Sequence, residues 1–345
     1  MPMPRRVTLK QVAARAGVSY QTVSKVINGK AQVSPETEAR IWEAVRELGY
    51  RPHYIARSLR AQRSRLIGYS WPPSPPDQPN PILDLFLQSM FTAAEEAGYY
   101  LLCFPHHYGE RQIESYRELI ESARVDGFIV SSVEFDDPRL AFLMEKDYPF
   151  VAFGRSNPDW DFPYVDVDGA AGMVKVVNHL LERGHRRIAA LAWPEASRVG
   201  QNRLDGYFTA LQRAGIMPLD AWIARGEGRF DFGYQATLQW LDLPPDERPT
   251  AIVALNDVMA IGAMRAVQER GLRVGVDVAI TGFDDYPLVQ YLTPPLTSVR
   301  QPIWDIGQRI VSMLVALLEG QPLQERHVLV EPELIIRASS TGPAG

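Results

Sequence analysis

Apolar positions along residues 7–28, VTLKQVAARAGVSYQTVSKVIN, recur at helical spacing in two short runs: Val12, Ala13 and Ala16, then Val23, Val26 and Ile27. Gly17 separates the runs and Val18 follows as an apolar plug. Thr8 with Gln11 three residues on forms a capping-box start, and Ser19 is placed to cap the second helix, which Gly29 is predicted to close. A third helix is predicted from Ser34-Pro35-Glu36 to Leu48, with a stripe of Ile41, Val45 and Leu48 and a stop at Gly49. The three would close a core of about 45 residues, small enough to lean on neighbours for stability. Tyr20, Gln21, Thr22 and Lys25 point away from the inward residues of the second helix. Such groups suit base edges and phosphates, although an ordinary solvated helix pair would show the same pattern.

From Leu66 the period changes. Short β-rich runs, at 66–70, 100–104, 127–131, 150–153, 164–167, 187–192, 251–255 and 278–282, alternate with longer amphipathic ones. Those longer runs, at 82–97, 110–123, 170–183, 203–214, 233–241, 258–270 and 305–318, often end near glycine. This is the signature of parallel sheets with crossover helices. The strands are too many for one comfortable open sheet, so the α/β body is expected to hold two doubly wound sheets. Ligands are then expected in the crevice outside the strand C-terminal ends.

Charge divides the chain at the same place. Residues 1–65 hold 13 Lys or Arg against 4 Asp or Glu, and the remainder 23 against 37, so a whole-chain net of −5 conceals a basic end of +9 on an acidic body of −14. A protein that touches nucleic acid with one end has this footprint, and its affinity should fall steeply with salt. The N-terminus lacks the apolar stretch of a secretory signal and no membrane span is visible, so a cytoplasmic protein is expected. The single cysteine, Cys103, lies in the apolar run Tyr99 to Phe104 and is expected to be a buried small hydrophobe. There is no Gly-x-Ser-x-Gly elbow, phosphate loop, Rossmann glycine fingerprint or His-Glu-x-x-His helix. An enzyme is therefore not expected, nor a cofactor or metal. The body alone would suit a solute-binding protein for transport, but the basic end argues against that class.

The segment 7–29, followed by RPHYIARSLR at 51–60, resembles the N-terminal domain of the lactose/galactose repressor family of bacterial transcription factors. In the body, Gly184-His185-Arg186-Arg187-Ile188, Asn202-Arg203-Leu204-Asp205-Gly206-Tyr207, Asn256-Asp257, Gly282-Phe283-Asp284-Asp285 and Pro294-Pro295-Leu296-Thr297-Ser298-Val299 extend the resemblance. It implies a helix-turn-helix headpiece over 1–51, a hinge helix and linker over 52–65, and a periplasmic-binding-protein-like core over 66–341. In that core the N-lobe would take about 66–163 and 292–323, and the C-lobe about 164–291 and 324–341. It further implies DNA contacts by Thr8, Ser19, Tyr20, Gln21, Thr22, Ser24, Lys25, Asn28 and Tyr50. In the hinge, Ala56, Arg57 and Leu59 would meet the minor groove, Leu59 as a wedge between base steps. Lys25 stands where the lactose repressor has an arginine, and Arg155 is also a departure, so neither the operator nor lactose-like ligands carry over.

By the same resemblance Arg203, Asn256 and Asp284 would hold a small effector, with strand-end capping or ion pairing between lobes as the alternative role for that trio. Arg155 follows the fourth predicted strand and would enter the same cleft. Phe230 lies near the family's ring-stacking position, while Trp71, Trp193 and Phe283 follow strands and offer flat surfaces to a sugar. Asp257 is expected to cap the helix after its strand, and His185 to form a structural turn. The implied partners are a palindromic double-stranded operator, a mono- or disaccharide that releases it, and a second copy of the chain. A purine acting as corepressor is the alternative effector.

Overall fold

The computed structural model describes residues 7–27, 33–50, 63–71 and 80–342. The chain forms two compact units, 1–64 and 65–345. Gly29, Asn28 and the whole hinge stretch with Ala56, Arg57 and Leu59 lie outside the described residues.

The first unit holds α1 (Leu9–Ala16), α2 (Tyr20–Ile27) and α3 (Pro35–Leu48). Its boundaries follow from local chemistry. The Thr8 amide donates to Gln11 Oε1 at 2.8 Å and the Gln11 amide to Thr8 Oγ1, closing the expected capping box. The Thr22 amide donates to Ser19 Oγ at 3.0 Å, and the Thr37 amide to Ser34 Oγ at 3.3 Å. Gly17 (φ 66°) and Gly49 (φ 62°) end α1 and α3 in the left-handed region, where a side chain would be strained. Val12, Ala13, Ala16, Val23, Val26, Ile41 and Ala44 make the core between the three helices.

The second unit consists of two six-stranded sheets. Its elements are β1 (Leu66–Trp71), α4 (Pro81–Glu96), β2 (Tyr100–Pro105), α5 (Glu114–Glu121), β3 (Gly127–Val130), α6 (Pro138–Glu145), β4 (Phe150–Phe153) and β5 (Tyr164–Val167). Then come α7 (Gly169–Glu182), β6 (Ile188–Ala192), α8 (Arg198–Arg213), β7 (Ile223–Arg225), α9 (Phe230–Leu241), β8 (Ala251–Ala254), α10 (Asp257–Glu269) and β9 (Ala279–Asp284). The last are β10 (Thr297–Arg300), α11 (Ile303–Leu318), β11 (His327–Val330) and β12 (Glu333–Ile335). The first sheet runs β11-β5-β4-β3-β1-β2 and the second β12-β10-β9-β8-β6-β7. Every pair is parallel except β10 with β12.

Alternation along the strands explains why both faces are covered. Ile67, Tyr69, Ile129, Val151 and Val165 face α4 and α11, while Phe128, Val130, Phe150 and Ala152 face α5 and α6. In the second sheet β6, β8 and β9 are apolar on both faces, as a sheet sandwiched between helices requires.

Several expectations need correction. Strand β5 pairs with β4, and β11 with β5, so residues 164–167 and 327–330 belong to the first sheet rather than the C-lobe. Strand β10 pairs with β9, so 297–300 belong to the second sheet rather than the N-lobe. The hydrogen-bond ladder thus puts the three crossings after β5, after β10 and after β11. Helix α6 and strands β7, β10, β11 and β12 had no predicted counterpart. Cys103 is exposed, because it sits on β2 at the open edge of the first sheet. Among the described residues no helix is long and apolar enough to cross a membrane.

Candidate functional site

Helix α2 gives the headpiece its polar face. With Val23 and Val26 turned inward, Tyr20 (40% exposed) and Gln21 in the first turn and Lys25 in the last are left in solvent, with Thr22 partly covered between them. Thr8 and Ser19 are exposed too, each bound to the first turn of the helix that it caps. Ser24 and Tyr50 depart from expectation. At 8% and 9% exposure they are enclosed with the helical core, so little of either side chain is offered outward.

The second site is a cavity of about 230 Å³ between the two sheets, at the C-terminal ends of their parallel strands. Gly154 and Arg155 enter after β4, Asp166 near the end of β5, Trp193 after β6, Asn256 after β8, Asp284 at the end of β9 and Gln301 after β10. Arg198 and Arg203 come from α8.

Arg203 and Asp284 form the centre of the site. Arg203 Nη2 lies 3.3 Å from Asp284 Oδ1, both side chains are under 10% exposed, and Nη1 of the same arginine donates to the Leu255 carbonyl. Gln301 Nε2 donates to the same Asp284 oxygen at 2.6 Å. Burial pushes the Asp284 carboxyl up to about 6 despite the opposing charge of Arg203. Burial likewise pushes Arg203 down while Asp284 opposes it. Asp284 has φ 112°, a conformation costly for a residue with a side chain, as is common where the surrounding structure holds a functional group in place.

Asn256, not Asp257, caps α10: its Oδ1 accepts from the Met259 amide at 2.8 Å, and its Nδ2 donates to the Gly228 carbonyl at 2.9 Å. Asp257 instead lies fully buried one residue further, accepting from Ser298 Oγ and from the Tyr286 amide at 2.7 Å. Burial, and next the charge of Asp284, push its carboxyl well above the usual range, while those two donors pull the other way. Arg155 Nε donates to Asp166 Oδ2 at 2.7 Å, and burial raises Asp166 against the pull of that guanidinium.

Of the aromatic candidates only Trp193 lines the cavity. Phe283 is fully buried beneath Arg203, whose guanidinium carbon lies 3.7 Å from the ring centroid, so the ring supports the arginine from behind. Trp71 meets Tyr69 edge-on at 6.2 Å and packs with the core of the first sheet. Phe230 opens α9, exposed and stacked on Tyr234. Neither is among the residues that line the cavity. His185 is buried and pairs through Nδ1 with Thr250 Oγ1 at 3.0 Å, as a structural turn requires.

Asp166, Arg198 and Gln301 line the cavity without having been singled out from the sequence. Asp166 could have been: Tyr-Val-Asp-Val on β5 alternates, which puts a carboxylate on the less buried face of a strand near its end. No local pattern marks the other two.

Residues 8–53 match the model of the bacterial regulatory proteins of the lacI family, and residues 177–340 that of a periplasmic binding protein-like domain. The chain is 35% identical over 337 residues to the HTH-type transcriptional repressor CytR of Escherichia coli, covering 96% of each. Among solved structures, a LacI-family regulatory protein from Chloroflexus aggregans shares 55% identity at a TM-score of 0.78, over 80% of this chain and 99% of that one. A Lac repressor dimer bound to operator and an anti-inducer shares 30% identity at a TM-score of 0.86, over 98% and 100%. The transcriptional regulator CelR in complex with cellobiose shares 33% at a TM-score of 0.73, over 97% and 100%. The basic three-helix headpiece and the two-lobed cleft thus belong together, and the chain is a DNA-binding transcriptional regulator of the LacI family.

Proposed function

We propose that this chain is a homodimeric repressor of carbohydrate-utilisation genes, which leaves a palindromic operator when a small sugar occupies the cleft. The set of groups converging on the 230 Å³ cavity carries this reading. Two carboxylates, Asp166 and Asp284, three guanidiniums, Arg155, Arg198 and Arg203, and carboxamides including those of Asn256 and Gln301 surround it, with the indole of Trp193 alongside. Vicinal hydroxyls of a sugar donate to carboxylates and accept from guanidiniums in pairs, and a flat indole suits the CH face of the ring. The volume lies below the roughly 300–1,000 Å³ typical of sites for drug-sized ligands, which favours one ring over the disaccharide held by CelR. Arg203 and Asp284 are central to the site, and Arg155, Asn256 and Trp193 complete it.

In the headpiece Tyr20, Gln21 and Lys25 read bases from α2, with Thr22 beside them, while Thr8 and Ser19 set the ends of the helices that carry the reading face. A single short helix reads only a few base pairs, so two headpieces on a two-fold symmetric operator are required for specificity, as in the Lac repressor dimer. Catalysis has no part in this account: Asp284 is already paired with Arg203 and Gln301, and incubation with a disaccharide is expected to yield no cleavage.

Thermal melting against monosaccharides, disaccharides and purines tests the reading, because a ligand of the native state raises the melting temperature by mass action. A saccharide is expected to stabilise the protein and to weaken operator binding. A purine that stabilises it while sugars are silent, or a sugar that tightens operator binding, would contradict the proposal.

A further inference from the structure

The charged groups of the cleft form two ion pairs and leave one guanidinium over. Arg203 pairs with Asp284 and Arg155 with Asp166. Arg198 also lines the cavity, but among the described residues it has no ion-pair partner: its Nε makes a long contact, 3.4 Å, to the Ser156 carbonyl, and its guanidinium carbon lies 5.1 Å from the Phe135 ring. Arg155 keeps one vacancy of its own, since among the described residues its Nη2 is enclosed with no hydrogen-bond partner. An enclosed donor without an acceptor is costly and points to a ligand atom.

The two arginines come from different lobes. Arg155 follows β4 of the first sheet, and Arg198 opens α8, beside the second. The start of α8 docks on the first lobe, with the Arg198 amide donating to Glu134 Oε2 at 2.6 Å. Closing the cleft therefore gathers three guanidiniums against two carboxylates in one cavity, and the surplus positive charge opposes closure. Burial and then the charge of Arg155 push Arg198 below its ordinary value, while the carboxylates of Asp166, Asp205 and Glu134 pull the other way.

We propose that the effector is an anionic carbohydrate, a sugar acid or a phosphorylated sugar, whose acidic group is held between Arg155 and Arg198, one guanidinium from each lobe. The inference rests on the carbohydrate reading of the cleft and narrows it. An anion in that place turns the repulsion into attraction only when the lobes are closed, which supplies the difference in affinity between two arrangements that a regulatory ligand needs. A neutral sugar fills the hydroxyl-binding half of the site and leaves the surplus guanidinium, Arg198, uncompensated.

The test compares D-glucuronate, D-galacturonate, glucose 6-phosphate and galactose 6-phosphate with neutral D-glucose and D-galactose, by thermal melting and by calorimetric titration of the full-length protein. At least one anionic member should bind about tenfold or more tightly than its neutral parent. Uronate-only or phosphate-only binding would identify the source of the charge. Arg198→Gln, which removes only the long contact and the ring packing, should erase that preference, and Arg155→Lys, which keeps the charge but loses the fork, should reduce it. Equal or tighter binding of the neutral parent would overturn the inference and leave the carbohydrate reading standing. So would an anionic preference that survives in Arg198→Gln. Stabilisation by purines alone, or by none of the sugars, would count against both.

Discussion

In the headpiece, the groups proposed to read DNA stand on the outside of one 8-residue helix, over a core made by other residues. In the cleft, the groups proposed to hold the effector are buried or half-buried themselves, and they come from positions as far apart as Arg155 and Gln301. Recognition and stability are thus separable in the first unit and entangled in the second. Substitutions that abolish DNA reading should leave the headpiece folded, whereas substitutions in the cleft should cost folding as well as binding.

The largest effect that would expose this contrast is expected from Arg203→Met. It leaves Asp284 buried without its ionic partner, a change worth about 3–5 kcal/mol when one member of a buried pair is removed. Urea unfolding should show that loss together with an abolished effector response. A loss within the range of a surface substitution would mean that the pair contributes little to the second unit.

Gly228→Ala comes next. A β-carbon there would meet the indole Nε1 of Trp193 and Nδ2 of Asn256, so both must shift from the places they hold at the cavity. Overpacking of this kind costs about 1–3 kcal/mol, and effector affinity should fall by a larger factor than in any substitution on the outer surface. Gln21→Ala is the counterpart in the headpiece. It should change stability by no more than about 0.5 kcal/mol and yet cost about 1–3 kcal/mol of discrimination at the base pair it reads. A comparable fall in the headpiece's own melting temperature would dissolve the contrast.

The same contrast explains what could be read from the chain before its structure. Helices α1 to α3 were legible because their ends are written locally, in Thr8 with Gln11, Ser19, Ser34, Gly17 and Gly49. The central strands were legible because they are buried on both faces and run apolar without interruption, as in β3 and β8. The strands that escaped are short and mostly at or beside sheet edges. Strands β7 and β12 have three residues each, β11 has four of which one is buried, and β10 follows two prolines. Those strands also decide where the chain crosses between lobes, which is why the crossings were misplaced. In the cleft, Arg203, Asn256 and Asp284 stand out through family motifs, whereas Arg198 and Gln301 acquire meaning only when the lobes bring them to the same cavity.

The smallest expected effect is on pH dependence. Burial holds the Asp284 carboxyl at about 6 in the folded protein, above its ordinary value of 3.8. The stability this group contributes is therefore complete below about pH 4 and is lost as pH rises through about 6, with the buried Asp257 beside it acting in the same direction. Sugar hydroxyls donate to the ionised form, so effector affinity should rise over the window in which that stability falls. Asp284→Asn should flatten the affinity profile and make the stability profile shallower, with Asp257 keeping the remaining slope, and a headpiece substitution such as Gln21→Ala should alter neither.

The measurement that bears most directly on the account is a titration of the full-length protein onto a palindromic duplex, selected with this protein from random sequence, with and without the saccharide that stabilises it most in melting experiments. Allosteric coupling of about 1–3 kcal/mol predicts that the saccharide weakens duplex binding by roughly 5- to 150-fold, and that Arg203→Met removes the effect without removing duplex binding. Unchanged or tighter duplex binding in the presence of the stabilising saccharide would contradict the claim that an occupied cleft releases the headpiece from DNA.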